Sequence, residues 1–157
     1  MKQLLIIQAK PNPIGKDRIL NFIPSPQLAG EWVDFKNSGS EGYVLENIKL
    51  DHIAYTSKYP NGVWDEVMGF AGILGVNKII RIHSGGKMPL ENLAPIDMVG
   101  ADYHLFTGKS YIWNNDKKDS PRLVLKQNGK VYEIDKASYS ADPLEGKILI
   151  RNLDTLV

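Results

Sequence analysis

The sequence predicts an all-β protein, a sandwich of two sheets, with an open barrel as the rival arrangement. Three observations carry this. The 14 glycines and 9 prolines are spread along the chain and separate short apolar stretches, which is how short strands joined by turns are punctuated. Within those stretches apolar and polar side chains alternate with the period of a strand that buries one face. Helical signal is scarce: only residues 88–100, MPLENLAPIDMVG, could hold a turn or two, interrupted by Pro95. Seven or more short strands within 157 residues suit a two-layer β-architecture.

Taken in order, QLLIIQA (Gln3–Ala9) is a first strand. EWVDFKN (Glu31–Asn37) sets Val33 and Phe35 on one face and Trp32, Asp34 and Lys36 on the other. ENIKLDHIAY puts Ile48 and Leu50 together, and NKIIRIHSG points Ile80 and Ile82 inward with Arg81 and His83 outward. YHLFTG, RLVLKQ, KVYEID and KILIRN follow as further strands. Turn signals separate them: PNPIGKD, NSGSEG, YPNG, HSGG and QNG. The QNG between RLVLK and KVYEI is the best hairpin, because Asn-Gly suits left-handed turn positions.

Composition narrows the function classes. Lys plus Arg is 19 and Asp plus Glu is 18, for a net charge of +1. Nucleic-acid recognition needs clustered positive charge, yet the densest basic pair, Lys117 and Lys118, is flanked by Asp116 and Asp119. With no cysteine there is no disulfide and no thiolate chemistry. No apolar run approaches the roughly 18 residues of a membrane helix, and MKQLLIIQAK lacks the pattern of a signal peptide. The chain reads as a soluble, unexported, cytoplasmic single domain, with secretion also compatible.

Two blocks go beyond pattern. The first is IIQAKPNPIGKDR followed by GEWVDFKN, with Asn12, Gly15 and Asp17 before Trp32, Asp34 and Asn37. The second is WNNDKKDSPRLVLKQNGKVYEIDKASY, with Trp113, Asn114, Asn115, Asp119, Asp135 and Tyr139. In this order they resemble the lamin tail domain, an immunoglobulin-like β-sandwich found at the end of nuclear lamins and in related bacterial modules. The resemblance covers residues 3–139 of one domain spanning 1–157, with 140–157 as a C-terminal extension. In LENIKL, Asn47 and Ile48 stand where the family has Gly and Trp.

The resemblance implies an immunoglobulin-like sandwich of two antiparallel sheets that serves interaction or tethering, without catalysis. It makes Trp113 a core aromatic ending a strand, with Asn114 and Asn115 bonding to backbone in the turn and Asp119 accepting backbone amides. Asp17, Asn115, Asp119 and Asp135 are then expected to serve the fold through side-chain-to-backbone bonds. A calcium loop made of Asn115, Asp116 and Asp119 is the sharper alternative, but Lys117 and Lys118 break the register of an EF-hand. NPIGKD lacks the spacing of a phosphate loop, and Pro13 removes an amide donor. No catalytic residue, cofactor or metal ligand is therefore assigned.

The candidate binding surface is AYTSKYPNGVWDEV, where Tyr55, Tyr59 and Trp64 surround a Pro-Asn-Gly turn. Exposed aromatics anchor interfaces and stack on sugars; the bland alternative is that Trp64 covers one end of the sandwich. The leading expectation is a non-enzymatic module that binds a protein partner, or a second copy of itself, through loops or edge strands. A carbohydrate-binding module using the same aromatics is the alternative. A small metal-dependent hydrolase would need His52, His83 and His104 to converge.

Overall fold

The computed structural model describes residues 1, 3–15 and 25–157. Asp17 lies outside the described residues. Among the described residues the strands are β1 (Leu4–Lys10), β2 (Trp32–Asn37), β3 (Tyr43–Val44), β4 (Ile48–Ala54), β5 (Val63–Gly69), β6 (Ile73–Leu74), β7 (Ile79–His83), β8 (Tyr103–Phe106), β9 (Arg122–Gln127), β10 (Lys130–Lys136), β11 (Leu149–Asn152) and β12 (Thr155–Leu156). Among the described residues helix is limited to one α-turn, α1 (Pro95–Met98), and short 3-10 turns. Proline begins α1 instead of interrupting it, because the first helical position needs no amide donor.

The fold is an all-β sandwich. One sheet runs β12-β11-β1-β2-β7-β8 and the other β10-β9-β4-β5, with β3 and β6 forming a small separate pair. Among the described residues the strands pair antiparallel except β7 with β8, which are parallel. At the β9–β10 hairpin Asn128 and Gly129 both take positive φ, 53° and 73°, the backbone that a two-residue hairpin with native twist requires.

Period-2 alternation aims one face of each sheet into the shared core. Leu4, Ile6, Val33, Phe35, Ile80 and Ile82 from the larger sheet meet Ile48, Leu50, Val67 and Leu123 from the smaller one. Trp113 is buried among them but sits in a bend, not at the end of a strand. Ile134 packs on this core while remaining partly exposed.

The outward face of the larger sheet departs from expectation. Trp32, Asp34, Arg81 and His83 lie opposite the core side chains, yet all four are buried. The connection between β7 and β8 folds back over them and makes a third, polar layer. Asp97 on α1 accepts bonds from Lys10 Nζ at 2.5 Å and Trp32 Nε1 at 2.8 Å. Arg81 forms a bidentate pair with Asp34, both bonds 2.8 Å, and donates to the carbonyls of Asp97 and Val99. Its guanidinium stacks 3.7 Å from the Trp32 ring. Alternation fixed which face these residues occupy; the covering segment decided that the face is not solvent.

Residues 149–156 are strands of the larger sheet, with β11 pairing with β1. Asp135, at a bulge in β10, accepts the Ile6 amide at 2.7 Å and two bonds from Arg151 on β11. The C-terminal segment is thus tied to the first strand through the residue that the second sequence block singled out.

Candidate functional site

The WNND stretch forms a turn organised by one buried carboxylate. Asp119 Oδ1 accepts the amides of Ile53 and Ser120, each at 2.8 Å. Its Oδ2 accepts the Asn114 amide at 3.0 Å and Asn114 Nδ2 at 2.8 Å, and lies 3.2 Å from His52 Nδ1. Asn114 also donates to the Ile53 carbonyl, and the Tyr139 hydroxyl donates to the Asn114 carbonyl at 2.7 Å. Burial, with the Asp119 charge second, holds the Tyr139 hydroxyl well above its ordinary pKa. Every oxygen of Asp119 is thereby occupied with holding the smaller sheet to the turn.

The remaining motif residues join the turn to the C-terminal segment. Asn115 Nδ2 donates to Asn12 Oδ1 at 3.0 Å, so this side chain bonds to another side chain. Asn12 in turn donates to the Pro143 carbonyl at 2.9 Å. Gly15, at φ 79°, gives its amide to Glu145 at 2.7 Å.

The aromatic candidates sit on the β4–β5 hairpin and behave differently from one another. Trp64, paired in register with Ile53, is 37% exposed, and Tyr59 is 43% exposed. Tyr55 is half-buried: its hydroxyl donates to the Lys118 carbonyl at 2.7 Å, and Lys117 Nζ stands 4.8 Å from its ring. Desolvation, then the charges of Asp119 and Asp116, push the Tyr55 hydroxyl pKa up. Tyr55 therefore ties the hairpin to the WNND turn. Among the described residues no two of the three rings are in contact.

Trp64 is held by charged neighbours. The Arg122 guanidinium covers one ring face at 3.8 Å, and Asp51 holds Arg122 at 2.8 Å. Lys126 bonds Glu66 at 2.9 Å; this hydrogen bond lowers the Glu66 pKa and raises that of Lys126. Beyond the turn, Val63–Gly69 is a strand and ends the smaller sheet. The YPNG signal marked the turn correctly; the consecutive acids Asp65 and Glu66 hid the strand.

The histidines divide between two layers. His52 sits between the sheets, edge-on to Trp113 and bonded to Asp119. His83 and His104 meet on the outer face of the larger sheet, with His83 Nε2 2.7 Å from His104 Nδ1. The Ala29 carbonyl, 2.6 Å from His83 Nδ1, requires a proton on that nitrogen, so Nε2 accepts from His104. Desolvation lowers the His83 pKa to about 4, against the raising effect of that carbonyl and helped by the charges of His104, Arg81 and Lys10. Burial lowers the His104 pKa as well. Among the described residues no three His, Cys, Asp or Glu side chains are grouped to hold a metal ion.

One site was missed in the sequence. Between the ends of β5 and β8 an apolar cleft of about 460 Å³ opens into the sandwich, lined among others by Met68, Phe70, Ile80, Tyr103 and Leu105. Its sequence signal is VMGFAGILGV, residues 67–76, a run without one polar side chain. No helix among the described residues is long and apolar enough to cross a membrane. No protein-family model matches the chain, and no curated protein is measurably similar to it.

Proposed function

We propose that this protein is a non-enzymatic interaction module that binds a protein partner through the β4–β5 hairpin and the edge of β5. The carrying observation is Trp64: a large side chain, 37% exposed on a terminal strand, with its ring backed by Arg122 and Asp51. A ring already fixed in the unbound protein loses little rotamer freedom on binding, which is what makes such side chains dominate interfaces. Asp65 and Glu66 beside it supply a polar rim. Among the described residues no strand pairs with the outer edge of β5, and apart from the Glu66 carbonyl, which accepts from Lys109 Nζ at 3.0 Å, that edge can take an added strand. The resemblance to the lamin tail domain points to the same class of role.

The test is photo-crosslinking from position 65 in a lysate of the source organism, comparing the native chain with Trp64→Ala. The reading expects discrete adducts that the substitution removes while the melting curve stays in place. Adducts that persist in a folded Trp64→Ala protein would sink it. A carbohydrate would use the same uncovered ring face above the shallow pocket of about 200 Å³ formed with Ile53, Asn61, Gly62 and Val63. Saturable quenching of tryptophan fluorescence by oligosaccharides, lost in Trp64→Ala, would favour that second reading. The three-histidine arrangement that a metal hydrolase would need is not formed, since His52 and the His83–His104 pair occupy different layers.

A further inference from the structure

The two sheets end unevenly. β5 closes one and β8 the other, and between them the inner face stays open. Register explains what lines the opening. Tyr103 pairs with Ile80 and Leu105 with Ile82, so both β8 side chains share the inward face of the core isoleucines. His104 and Phe106 point the other way, against His83. Tyr103 is nevertheless 51% exposed and Ile73 at the rim 72% exposed, because no further strand covers them among the described residues.

No charged residue lines this cleft, and the Tyr103 hydroxyl is its one side-chain oxygen. The volume, about 460 Å³, equals that of about fifteen water molecules at their share of the liquid, roughly 30 Å³ each. Water there finds few partners, so an apolar occupant displaces it favourably. The size falls within that of small-ligand sites. A peptide strand added to β8 is the competing occupant; only its alternate side chains would enter.

Charge just over the β5 edge from the cleft decides between them. Lys49 is paired in register with Gly69, and a Cβ added to Gly69 would fall 2.5 Å from Lys49 Nζ. The lysine thus lies across the outer side of a glycine whose backbone borders the cleft. The nearby Glu66 bonds Lys126 at 2.9 Å and feels the Lys49 charge only at longer range, so the Lys49 ammonium keeps donors for a ligand. A cation beside an uncharged, apolar hollow is complementary to an amphiphile with an anionic end. We propose that the cleft binds the hydrocarbon chain of a fatty acid, whose carboxylate turns over the β5 edge at Gly69 to meet Lys49.

The experiment titrates the full chain with cis-parinaric acid and, separately, with its methyl ester, reading polyene fluorescence. Both should bind saturably at one site, the acid more tightly. Tyr103→Glu and Ala71→Asp each place a carboxylate in the lining at an exposed position, and each should weaken both probes at least about 10-fold, since the bound hydrocarbon would cover that charge without giving it a partner. Lys49→Gln should weaken the acid about 5-fold and leave the ester unchanged, the size of one solvent-exposed ion pair. Absence of saturable binding overturns the proposal. So does unchanged affinity in whichever of Tyr103→Glu and Ala71→Asp keeps the native melting curve. Equal loss of acid and ester in Lys49→Gln overturns the placement of the carboxylate.

Discussion

Two side chains show how differently burial treats polar groups. Asp119 is wholly buried yet accepts bonds from two separate backbone amides on one oxygen and from the Asn114 amide on the other. Removing it orphans several donors at once, each costing about 1–3 kcal/mol when left unpaired in the interior. Asp119→Ala is expected to lower the unfolding free energy by at least about 3 kcal/mol in urea titrations. Asp116→Ala, at an exposed position of the same turn, should stay within about 0.5 kcal/mol. His83 is the opposite case, a buried group kept neutral. Its pKa is about 4 in the folded protein, against an ordinary 6.5, so on acidification the unfolded chain takes up the proton first. The stability it contributes is complete above pH 6.5 and is lost as pH falls from 6.5 through 4. At 1.36 kcal/mol per pKa unit the full loss is about 3 kcal/mol. Urea midpoints between pH 7.5 and 5 should decline with acid in the native chain and more shallowly in His83→Gln.

At the scale of elements, the polar layer behind the larger sheet depends on α1 as much as on the strands. Asp97 is the one side chain through which α1 holds both Lys10 on β1 and Trp32 on β2. Its loss would leave the Lys10 ammonium buried without its counter-charge, a change that costs about 3–5 kcal/mol in comparable settings. Asp97→Ala should therefore destabilise the protein by about that much and release the covering segment locally. Native-state hydrogen exchange reads both effects: the amides of Asp97, Met98 and Val99, which now bond back to Ala94 and Pro95, should lose protection beyond the global change. If their protection falls only in step with the rest of the molecule, α1 is held by something other than Asp97.

For the molecule as a whole, the C-terminal residues decide whether the sandwich is complete. Leu149 and Leu156 are buried in the main core, and Arg151 neutralises Asp135 where β10 meets β1. Burying each leucine contributes about 1.5–3 kcal/mol. Deleting 148–157 should cost at least about 3 kcal/mol, which for a chain of this size lowers Tm by about 6–12 °C. A melting curve unchanged by the deletion would show that β11 and β12 are appended to a core already sufficient without them.

The sequence by itself determined the longer strands other than β5, their inward faces and one hairpin. Val33, Phe35, Ile80, Ile82 and Leu123 are core because alternation with period 2 is a local property, and Asn128-Gly129 turns because only such residues take two positive φ angles cheaply. It also located the WNND turn, since short amides and acids bond to nearby backbone. Tertiary structure decided the rest. Whether the outward Arg81 and His83 meet water depended on partners distant in sequence: the Val99 carbonyl, 18 residues from Arg81, and Ala29, 54 residues from His83. That β5 is a strand despite Asp65 and Glu66 follows from its pairing with β4, which satisfies its backbone whatever its side chains prefer. The cleft exists only because two sheets of unequal extent leave one side uncovered. Local patterns report which way a side chain points; what stands opposite it is fixed by contacts distant in sequence, and those the alternation does not encode.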